Sequence, residues 1–335
     1  MTRAPVIDTH AHVFFEELLG KAGAYGPEAG ERDGRRYFRS GSFEIPGKHP
    51  WDGPMGALSA RHALMDELGI DLQVVTGVPH VYYYRLDAAT AIAFYREHND
   101  LMAAYVDGSD RLLGAAMLPL QDPAASVREL ERSVRELGLV ASHLGADAGD
   151  RMLSDPVFEE LWAAHEELGV PVMIHAGSTV DGPPPGALAD WALETTLGFP
   201  AAAAYAGAHL ILGGVLDRHP RLRVHLAHGG GFLPYQKGRL ELSIERGGKV
   251  RLERPFNDSW SQLSFDTALH GRESLEFLID VAGASNVLIG TNFGGWDQED
   301  EIVELVRASP RSDADIAAIL RGNALSLFPA FTTTT

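Results

Sequence analysis

Short apolar runs alternate with longer amphipathic segments along almost the whole chain. The amphipathic segments place apolar residues three and four positions apart, which is the spacing of a helix that buries one face. Strands that alternate with helices form parallel sheets, because each helix returns the chain to the edge where the next strand starts. The apolar runs predict strands at 6–8, 72–78, 112–117, 139–144, 172–175, 224–227, 263–266 and 287–290.

These strands, each followed by a helical segment, predict an α/β fold of the (β/α)8 TIM-barrel type. In such a barrel the active-site residues lie at the carboxyl ends of the strands. A barrel takes about 250 residues and more with insertions, so residues 1–330 are predicted to form a single domain. Residues 331–335, which end in a run of threonines, are predicted to be a tail. The predicted helices are 58–69, 88–106, 124–138, 155–169, 201–220, 232–246, 273–283 and 312–328.

Two segments are too long to be simple connections. Residues 16–56 follow the first strand and are rich in Gly, Pro and aromatic residues, and residues 177–200 follow the fifth strand. Both would lie over the catalytic face of a barrel. Long loops there are usually functional, so we expect lids or specificity elements; a poorly ordered excursion is the alternative.

The formal net charge of −18 limits the classes of partner. Nucleic acids and anionic membranes bind clustered Lys and Arg, and the sequence has no such cluster. It also has no apolar run of roughly 18 residues and no signal-peptide core before the first strand. We therefore expect a cytoplasmic protein that binds neither nucleic acid nor membrane. The chain has no cysteine, so a transition metal would be held by His with carboxylate or amide oxygens.

His10 and His12, in the stretch VIDTHAHVFF, are the strongest indication of chemistry. Residues i and i+2 of a strand point to the same side, so both imidazoles would face the barrel mouth where the first strand ends. Two adjacent imidazoles are typical of a metal-ligand pair. The alternative is a coincidental strand-end pair that is hydrogen-bonded to loops.

Two further histidines close later strands. His175 ends the fifth strand and would complete a three-histidine set, although alone it would more often be a core residue. His228 ends the sixth strand before three glycines, which let the backbone approach a ligand closely. An imidazole pKa near neutrality suits a proton donor or acceptor. His225, two residues earlier, is predicted to pack in the core.

Taken together, His10-x-His12, His175, the AHGGG motif with His228 and the segment VLIGTNF resemble the amidohydrolase superfamily. The likeness is to its amidohydrolase-related branch, which is similar to aminocarboxymuconate-semialdehyde decarboxylase. It covers nearly the whole chain and includes AAMLPLQDP and GGVLDRHPRLRVHLAHGGGFLPY. These motifs are specific in combination and weak singly.

The resemblance implies one divalent metal ion, Zn²⁺ foremost or else Mn²⁺, held by His10, His12 and His175, with His228 near the substrate. It also implies an Asp at the end of the eighth strand that binds the metal and, in hydrolytic members, deprotonates bound water. Here the matching position holds Asn292. An amide offers a carbonyl oxygen to a metal but carries no charge and cannot move a proton. Asn292 is therefore a candidate for both the metal site and the catalytic set.

Three explanations of Asn292 are open: an engineered Asp-to-Asn variant, a natural enzyme whose reaction needs no base there, or an inactive relative that binds a ligand. The missing carboxylate counts against hydrolysis more than against decarboxylation, because only hydrolysis deprotonates water. Asp266, at the end of the seventh strand, is predicted to orient a ligand histidine. Asp297, five residues after Asn292, is predicted to cap a helix or to lie behind the site.

Candidate substrate-binding residues come from loops at the same face. The resemblance implies a carboxylate-binding Arg shortly before the Trp of KHPWDG; it is absent, so Lys48 or His49 would serve. Lys gives a point charge where Arg gives a bidentate fork, so a different substrate is expected. The consecutive tyrosines 82–84 could line an aromatic pocket, but all three cannot face inward, so a half-exposed loop anchor is predicted. Further candidates for substrate binding are His80, His143 and Trp296.

These observations predict a metal-dependent lyase, a non-oxidative decarboxylase that acts on a small aromatic or unsaturated carboxylic acid. The alternative is a metal-dependent hydrolase or hydratase of the same superfamily. A ligand-binding protein without activity is the third hypothesis. The expected partner is a small-molecule substrate, and the resemblance implies a homodimer.

Overall fold

The structure, a computed structural model, describes residues 5–177, 186–247 and 251–332. Strands β1 and β5–β11 form one eight-stranded parallel sheet, and β2–β4 form a separate antiparallel sheet. The strands are β1 Ile7–Val13, β2 Glu28–Arg32, β3 Arg35–Ser40, β4 Phe43–Pro46, β5 Leu72–Gly77, β6 Leu112–Ala116, β7 Ala141–Gly145, β8 Val172–His175, β9 Val224–Leu226, β10 Leu263–Asp266 and β11 Val287–Leu288.

The eight-stranded sheet closes on itself between β1 and the chain that follows β11. Ala11 bridges Phe293 in parallel register, and Thr9 N–H donates to Ile289 O at 2.8 Å. Two further hydrogen bonds of 2.9 Å join His12 N–H to Phe293 O and Phe293 N–H to His10 O. The predicted (β/α)8 TIM barrel is therefore confirmed.

The first strand is longer than the sequence predicts. β1 continues to Val13 and is buried along its whole length, with a register shift against β5 between Asp8 and Ala11. The prediction ended this strand at Asp8 because the polar residues that follow interrupt the apolar run. Strands buried on both faces do not alternate in polarity, so the pattern could not locate the end. His10 and His12 lie within β1 itself.

The helices cover the outside of the barrel. Asp87 and Asp122 cap α2 and α3 by accepting hydrogen bonds from the N–H groups of Thr90 and Ala125. The predicted helix 201–220 is divided where Gly214 takes a left-handed conformation. The helices are α1 Leu58–Leu68, α2 Ala88–Asp107, α3 Pro123–Arg135, α4 Glu159–Leu168, α5 Phe199–Leu212, α6 Val215–Arg218, α7 Lys237–Glu245, α8 Phe256–Trp260, α9 Arg272–Ala282, α10 Ile302–Arg307, α11 Asp313–Ala317 and α12 Asn323–Leu327.

The insertion 16–56 has regular structure of its own, so the alternative of a poorly ordered excursion is wrong. It carries the β2–β4 sheet, which packs on the barrel through the fully buried Phe38. The Phe38 ring lies 4.9 Å from that of Phe14 and 6.3 Å from that of Trp51, centroid to centroid. Of the second long segment, residues 178–185 lie outside the described residues. The rest forms a 3-10 turn at Gly186–Leu188 and a π-helical turn at Glu194–Gly198 that leads directly into α5.

The hydrophobic core extends past the predicted domain boundary at 330. Phe331 is fully buried and packs with Ile7 and Phe328 at one end of the barrel. The predicted tail therefore does not begin at 331, and residues 333–335 lie outside the described residues. Among the helices of the described residues, none is both long and apolar enough to cross a bilayer.

Replacing Phe38 with Ala is expected to lower the free energy of unfolding by about 3–5 kcal/mol, the usual cost of deleting a buried aromatic ring. The loss follows because Phe38 joins the insertion to the barrel. Urea denaturation followed by tryptophan fluorescence measures it. Tyr37→Ala, on the neighbouring half-buried residue of β3, is the control and should cost less. Equal losses in the two variants would contradict the anchoring role of Phe38.

Candidate active site

Four imidazoles converge at the mouth of the barrel. His10 and His12 come from β1, His175 ends β8 and His228 follows β9. The Nε2 atoms of His10 and His12 lie 3.2 Å apart, as do those of His175 and His228. Ligand atoms of His10, His175 and His228 all lie within 4.8 Å of one another. All four side chains are buried.

Hydrogen bonds at Nδ1 fix the ring orientation of three of these histidines. A carboxylate or carbonyl oxygen only accepts, so each of these Nδ1 atoms carries the proton and each Nε2 presents a lone pair. Among the described residues no hydrogen bond is seen at His228 Nδ1, while His228 Nε2 lies 3.2 Å from the lone pair of His175 Nε2 and is therefore the atom that carries the proton. The three contacts are His10 to Asp266 Oδ2 at 2.6 Å, His12 to Gly77 O at 3.2 Å and His175 to Ala176 O at 2.7 Å.

The electrostatics of the cluster fit a cation. Burial lowers the pKa of His10, His12 and His228 well below the ordinary value, and burial also lowers the pKa of His175. The imidazoles are therefore neutral near pH 7. Two Nε2 lone pairs that face each other at 3.2 Å repel, and a cation between them removes that repulsion. Neutral imidazoles oriented through Nδ1 are the donor set of a divalent transition metal.

Asp266 fixes the His10 ring and the neighbouring loop together. Its Oδ2 accepts from His10, and its Oδ1 accepts from the N–H groups of Gly229 at 2.9 Å and Ala268 at 3.2 Å. The side chain is fully buried. Gly290 leaves the necessary room, since a Cβ there would lie 2.5 Å from the Asp266 Cβ. Asp266 thus joins β10, β1 and the turn that carries His228.

Asn292 lies beside the histidines in a tight loop after β11. Its φ of +52° is left-handed, a conformation that Asn tolerates better than most residues. Its Nδ2 donates a hydrogen bond to Asp297 Oδ1. The expectation that Asp297 caps a helix is wrong, because the next α-helix, α10, begins only at Ile302. The loop instead folds back and places Asp297 behind the amide.

A cavity of about 360 Å³ opens above the cluster. His12, His175, His228 and Asn292 form its floor, and the insertion supplies one wall. The volume lies within the range of about 300–1,000 Å³ that is usual for small-molecule sites. Much of the lining is apolar: Phe43, Ile45, Met55, Val78, Phe199 and Trp296.

The predicted substrate-binding residues divide between the rim and the interior. Lys48, His49, His80 and Trp296 all line the cavity. Lys48 is exposed at the rim, and the Trp296 side chain is 64% exposed. The ring of His80 stacks on Phe43 at 3.8 Å between centroids, and burial lowers the pKa of His80 to about 3.

His49 has polar partners at the rim. Its Nδ1 lies 2.5 Å from Nη2 of Arg36, and its ring lies 4.7 Å from that of Trp51, centroid to centroid. Asp52 accepts from the His49 N–H and pairs with Arg36 at 2.7 Å. These contacts leave Lys48 as the cation better placed to meet a ligand.

His143 lies away from the main cavity. It lines a small adjoining cavity with His10, His175 and His225, and its Nδ1 lies 2.9 Å from the hydroxyl of Tyr82. His143 is therefore not among the residues that line the main cavity, and its contact with substrate stays a prediction. A side chain on β7 sits deeper than the residues that follow the strand ends.

The prediction that tyrosines 82–84 anchor a half-exposed loop is also wrong. All three are buried, at 3%, 0% and 7% exposure. Burial is tolerated because each hydroxyl finds a polar partner. Those partners are His143 for Tyr82, Ser40 Oγ for Tyr83 and the Gly145 N–H for Tyr84.

Sequence reasoning missed residues that reach the site from distant loops. His270, after β10, lies 3.5 Å from Asp297, measured from Nε2 to Oδ2. A second cavity of about 550 Å³, lined in part by His270 and Leu269, shares His228 and Asp297 with the first. Nothing in a single loop sequence signals such contacts, because they depend on how separate loops fold toward one another.

Comparisons with known proteins show which family the chain resembles. The model of the family described as Amidohydrolase matches residues 7–330. The chain is 30% identical over 263 residues to a 2-amino-3-carboxymuconate-6-semialdehyde decarboxylase of Dictyostelium discoideum, covering 76% of this chain and 72% of that protein. It is also 30% identical to a gamma-resorcylate decarboxylase of a Rhizobium species, covering 80% and 86%. A 2-keto-4-carboxy-3-hexenedioate hydratase of a Sphingobium species is 29% identical, covering 79% and 80%.

Solved structures give the same fold. A 5-carboxyvanillate decarboxylase of Sphingomonas paucimobilis aligns with a TM-score of 0.81 at 23% identity, covering 98% of this chain and 99% of that one. A dihydroxybenzoic acid decarboxylase of a Polaromonas species, solved with manganese and 2-nitroresorcinol, aligns with a TM-score of 0.79 at 23% identity, covering 99% and 98%. At these identities the likeness establishes the barrel.

Asp266→Asn is expected to lower the affinity for Zn²⁺ or Mn²⁺ by about 10–100-fold, the usual effect of removing a residue that orients a ligand. Every partner of the carboxylate is an N–H donor, so an amide must turn its NH₂ toward His10 or toward Gly229 and Ala268. In the first case His10 Nδ1 has to accept, and its Nε2 then takes the proton and loses its lone pair. Calorimetric metal titration measures the change. Asp280→Asn on α9 is the control, and equal affinities in both variants would refute the role of Asp266.

Proposed function

Because this chain belongs to the amidohydrolase family, we propose that it is a metal-dependent, non-oxidative decarboxylase of a small aromatic or unsaturated carboxylic acid. One observation carries the proposal: neutral imidazoles with inward Nε2 lone pairs form the floor of a largely apolar cavity, and His228 lies 3.2 Å from that set. Relatives that are decarboxylases of such acids support it.

The Nδ1 contacts support one choice among the four histidines as ligands of the ion. His10, His12 and His175 each present a lone pair at Nε2, whereas His228 has no Nδ1 acceptor among the described residues. We therefore assign the ion to those three histidines and to the amide oxygen of Asn292. When bound, Zn²⁺ or Mn²⁺ would supply a Lewis acid that draws electron density from an oxygen of the substrate. A structural relative that contains manganese supports a divalent ion without deciding between the two metals.

The cavity walls suit a flat, anionic molecule. Phe43, Phe199 and Trp296 offer apolar faces, and their packing against a ring excludes water from the reacting carbon. Lys48 at the rim gives a positive point charge to a carboxylate or phenolate. One exposed lysine attracts an anion but does not fix its orientation. We therefore expect the residues of the cavity floor to orient the substrate.

His228 is proposed as the proton donor. The carbon–carbon bond to the carboxylate breaks, its electron pair stays on the substrate carbon, and CO₂ leaves. His228, neutral in the empty site, takes up a proton once the anionic carboxylate of the substrate lies beside it, because a nearby negative charge favours the imidazolium. That proton then passes from His228 Nε2 to the substrate carbon and forms the new carbon–hydrogen bond, so that one carboxylate and one proton give the product and CO₂. His228 also lines the second cavity, through which it would regain a proton from solvent.

Hydration of an unsaturated acid is the second candidate, supported by the hydratase relative. The uncharged Asn292 weighs against it, since an amide cannot take a proton from water. Asp297, which also lines the cavity, is the carboxylate that a hydratase would use. Hydrolysis would need the same group.

An exposed aromatic face leads us to propose a homodimer. Tyr205 lies 5.7 Å from Phe232 and Tyr235 lies 5.8 Å from Phe277, ring centroid to centroid. All four side chains are exposed by between 41% and 73%. Exposed apolar patches of this kind mark association surfaces, where Tyr and Phe are enriched.

His228→Asn is expected to lower the rate of CO₂ release by about 10²–10⁴-fold, the usual contribution of a positioned acid. The assay presents 2,6-dihydroxybenzoate and 5-carboxyvanillate, the acids named for two structural relatives, to the metal-loaded protein. The exposed His209 of α5 is the control position, and His209→Asn should keep full activity. Incorporation of ¹⁸O from labelled water without release of CO₂ would show hydration and refute the decarboxylase proposal.

Placing charges on the aromatic face is expected to separate the dimer. Tyr235→Glu combined with Phe277→Glu puts like charges across a symmetric interface, where they repel and resist desolvation. Analytical ultracentrifugation should give a dimer for the wild type and a monomer for this variant. Val157→Glu, at an exposed apolar residue elsewhere, should stay dimeric. A wild-type protein that sediments as a monomer would contradict the proposal.

A further inference from the structure

Asn292 is the inner end of a chain of polar side chains that leads out of the cavity. Its Nδ2 donates to Asp297 Oδ1, and Asp297 Oδ2 lies 3.5 Å from Nε2 of His270. His270 Nδ1 in turn lies 3.1 Å from Glu299 Oε2. The His270 side chain is 45% exposed, so this row of groups connects the cavity floor with the surface.

The carboxylate determines which way the amide of Asn292 points. An ionised carboxylate only accepts hydrogen bonds, so the NH₂ group and not the carbonyl must face Asp297. The two polar atoms of an amide diverge from one carbon, so the carbonyl oxygen is turned away from Asp297. Among the described residues no donor contacts this oxygen. Asn292 shares the cavity floor with His12 and His175, so the oxygen is available to a cation there.

The loop between the two residues is built closely around the amide. Gly295 N–H donates to Asn292 O at 2.8 Å, and Glu299 N–H donates to Thr291 O at 2.8 Å, which returns the chain to its starting point. A Cβ on Gly295 would lie 2.6 Å from Cγ, Nδ2 and Oδ1 of Asn292. The backbone therefore holds Asn292 and Asp297 against each other and leaves the amide little freedom to turn.

We propose that Asn292 and Asp297 act as one unit. Asp297 is a positioning residue that holds the amide oxygen toward the histidine cluster, and it carries the negative charge of the site one side chain away from the ion. His270 supports Asp297 from the outer side. This inference deepens the proposed function and rests on the part of it that places a divalent ion on the histidines.

The pairing has a direct consequence for substitutions at position 292. Asn292→Asp alone would set two carboxylates in contact, where the like charges repel unless one of them takes up a proton. The exchange Asn292→Asp with Asp297→Asn restores a donor opposite an acceptor and moves the charge next to the ion. Asp297→Asn alone keeps an acceptor oxygen for Asn292 and removes only the charge.

The experiment compares N292D, D297N and the N292D/D297N exchange with the wild type. The unfolding temperature of the metal-free proteins measures how much the contact between residues 292 and 297 stabilises the fold. Calorimetric titration with Mn²⁺ measures the affinity for the ion. We expect N292D to lower the unfolding temperature and the exchange to restore it. The exchange should bind Mn²⁺ roughly tenfold more tightly than the wild type, and D297N roughly tenfold more weakly. Asp300→Asn, a carboxylate in the same loop that bonds to Gln298, is the matched control and should change neither.

The inference is overturned if N292D is as stable as the wild type and the two substitutions have additive effects on Mn²⁺ affinity, since the side chains would then act independently. Neither readout involves turnover. If Asn292 and Asp297 are coupled but the protein releases no CO₂, the decarboxylase proposal is refuted and the proposal that the two residues act as one unit stands. If the two residues are not coupled but the protein releases CO₂, only the proposal that they act as one unit is refuted.

Discussion

The closure of the barrel between β1 and the chain after β11 is the constraint on which the site depends. Backbone hydrogen bonds join Thr9 to Ile289, and His10 and His12 to Phe293. The first strand of the barrel is therefore fixed in register against the chain that follows the last strand. Asn292 directly precedes the residue that bonds to both histidine backbones. This seam therefore places an amide from the last barrel unit beside two imidazoles from the first. A slip of one residue would turn the histidines to the other face of the sheet.

Below the seam, buried polar groups hold the strands in that register. Asp8 accepts from Thr291 and Gln73, and burial raises the pKa of Asp8 to about 6. Arg61, fully buried, donates to Gln73 and to the carbonyl of His12. The histidine cluster is uncharged above this layer, while Asp266 and Asp297 stand behind its edges. A divalent ion would thus bind neutral ligands. The compensating negative charge lies on Asp266 and Asp297, which contact the ligands and not the ion.

The barrel, the superfamily and its enzymatic class were accessible from the sequence, and the structure and the comparisons confirm all three. The role of the insertion was accessible only in outline. Its position over the catalytic face followed from its place after β1, but its antiparallel sheet and the cavity wall formed by Phe43 and Ile45 did not. Short polar strands without a clear alternation leave no pattern to detect.

What the sequence determined is what depends on local periodicity. Alternating apolar runs define the strands, and the parity of β1 sets His10 and His12 on one side whatever surrounds them. What only the tertiary structure decided is which side chains meet: Asp297 with Asn292 inside one loop, His270 with Asp297 between two loops, and His143 of β7 with Tyr82. The first two contacts involve left-handed turns at Asn292 and His270. Such geometry arises from long-range packing, and the order of residues along the chain does not indicate which of them will meet.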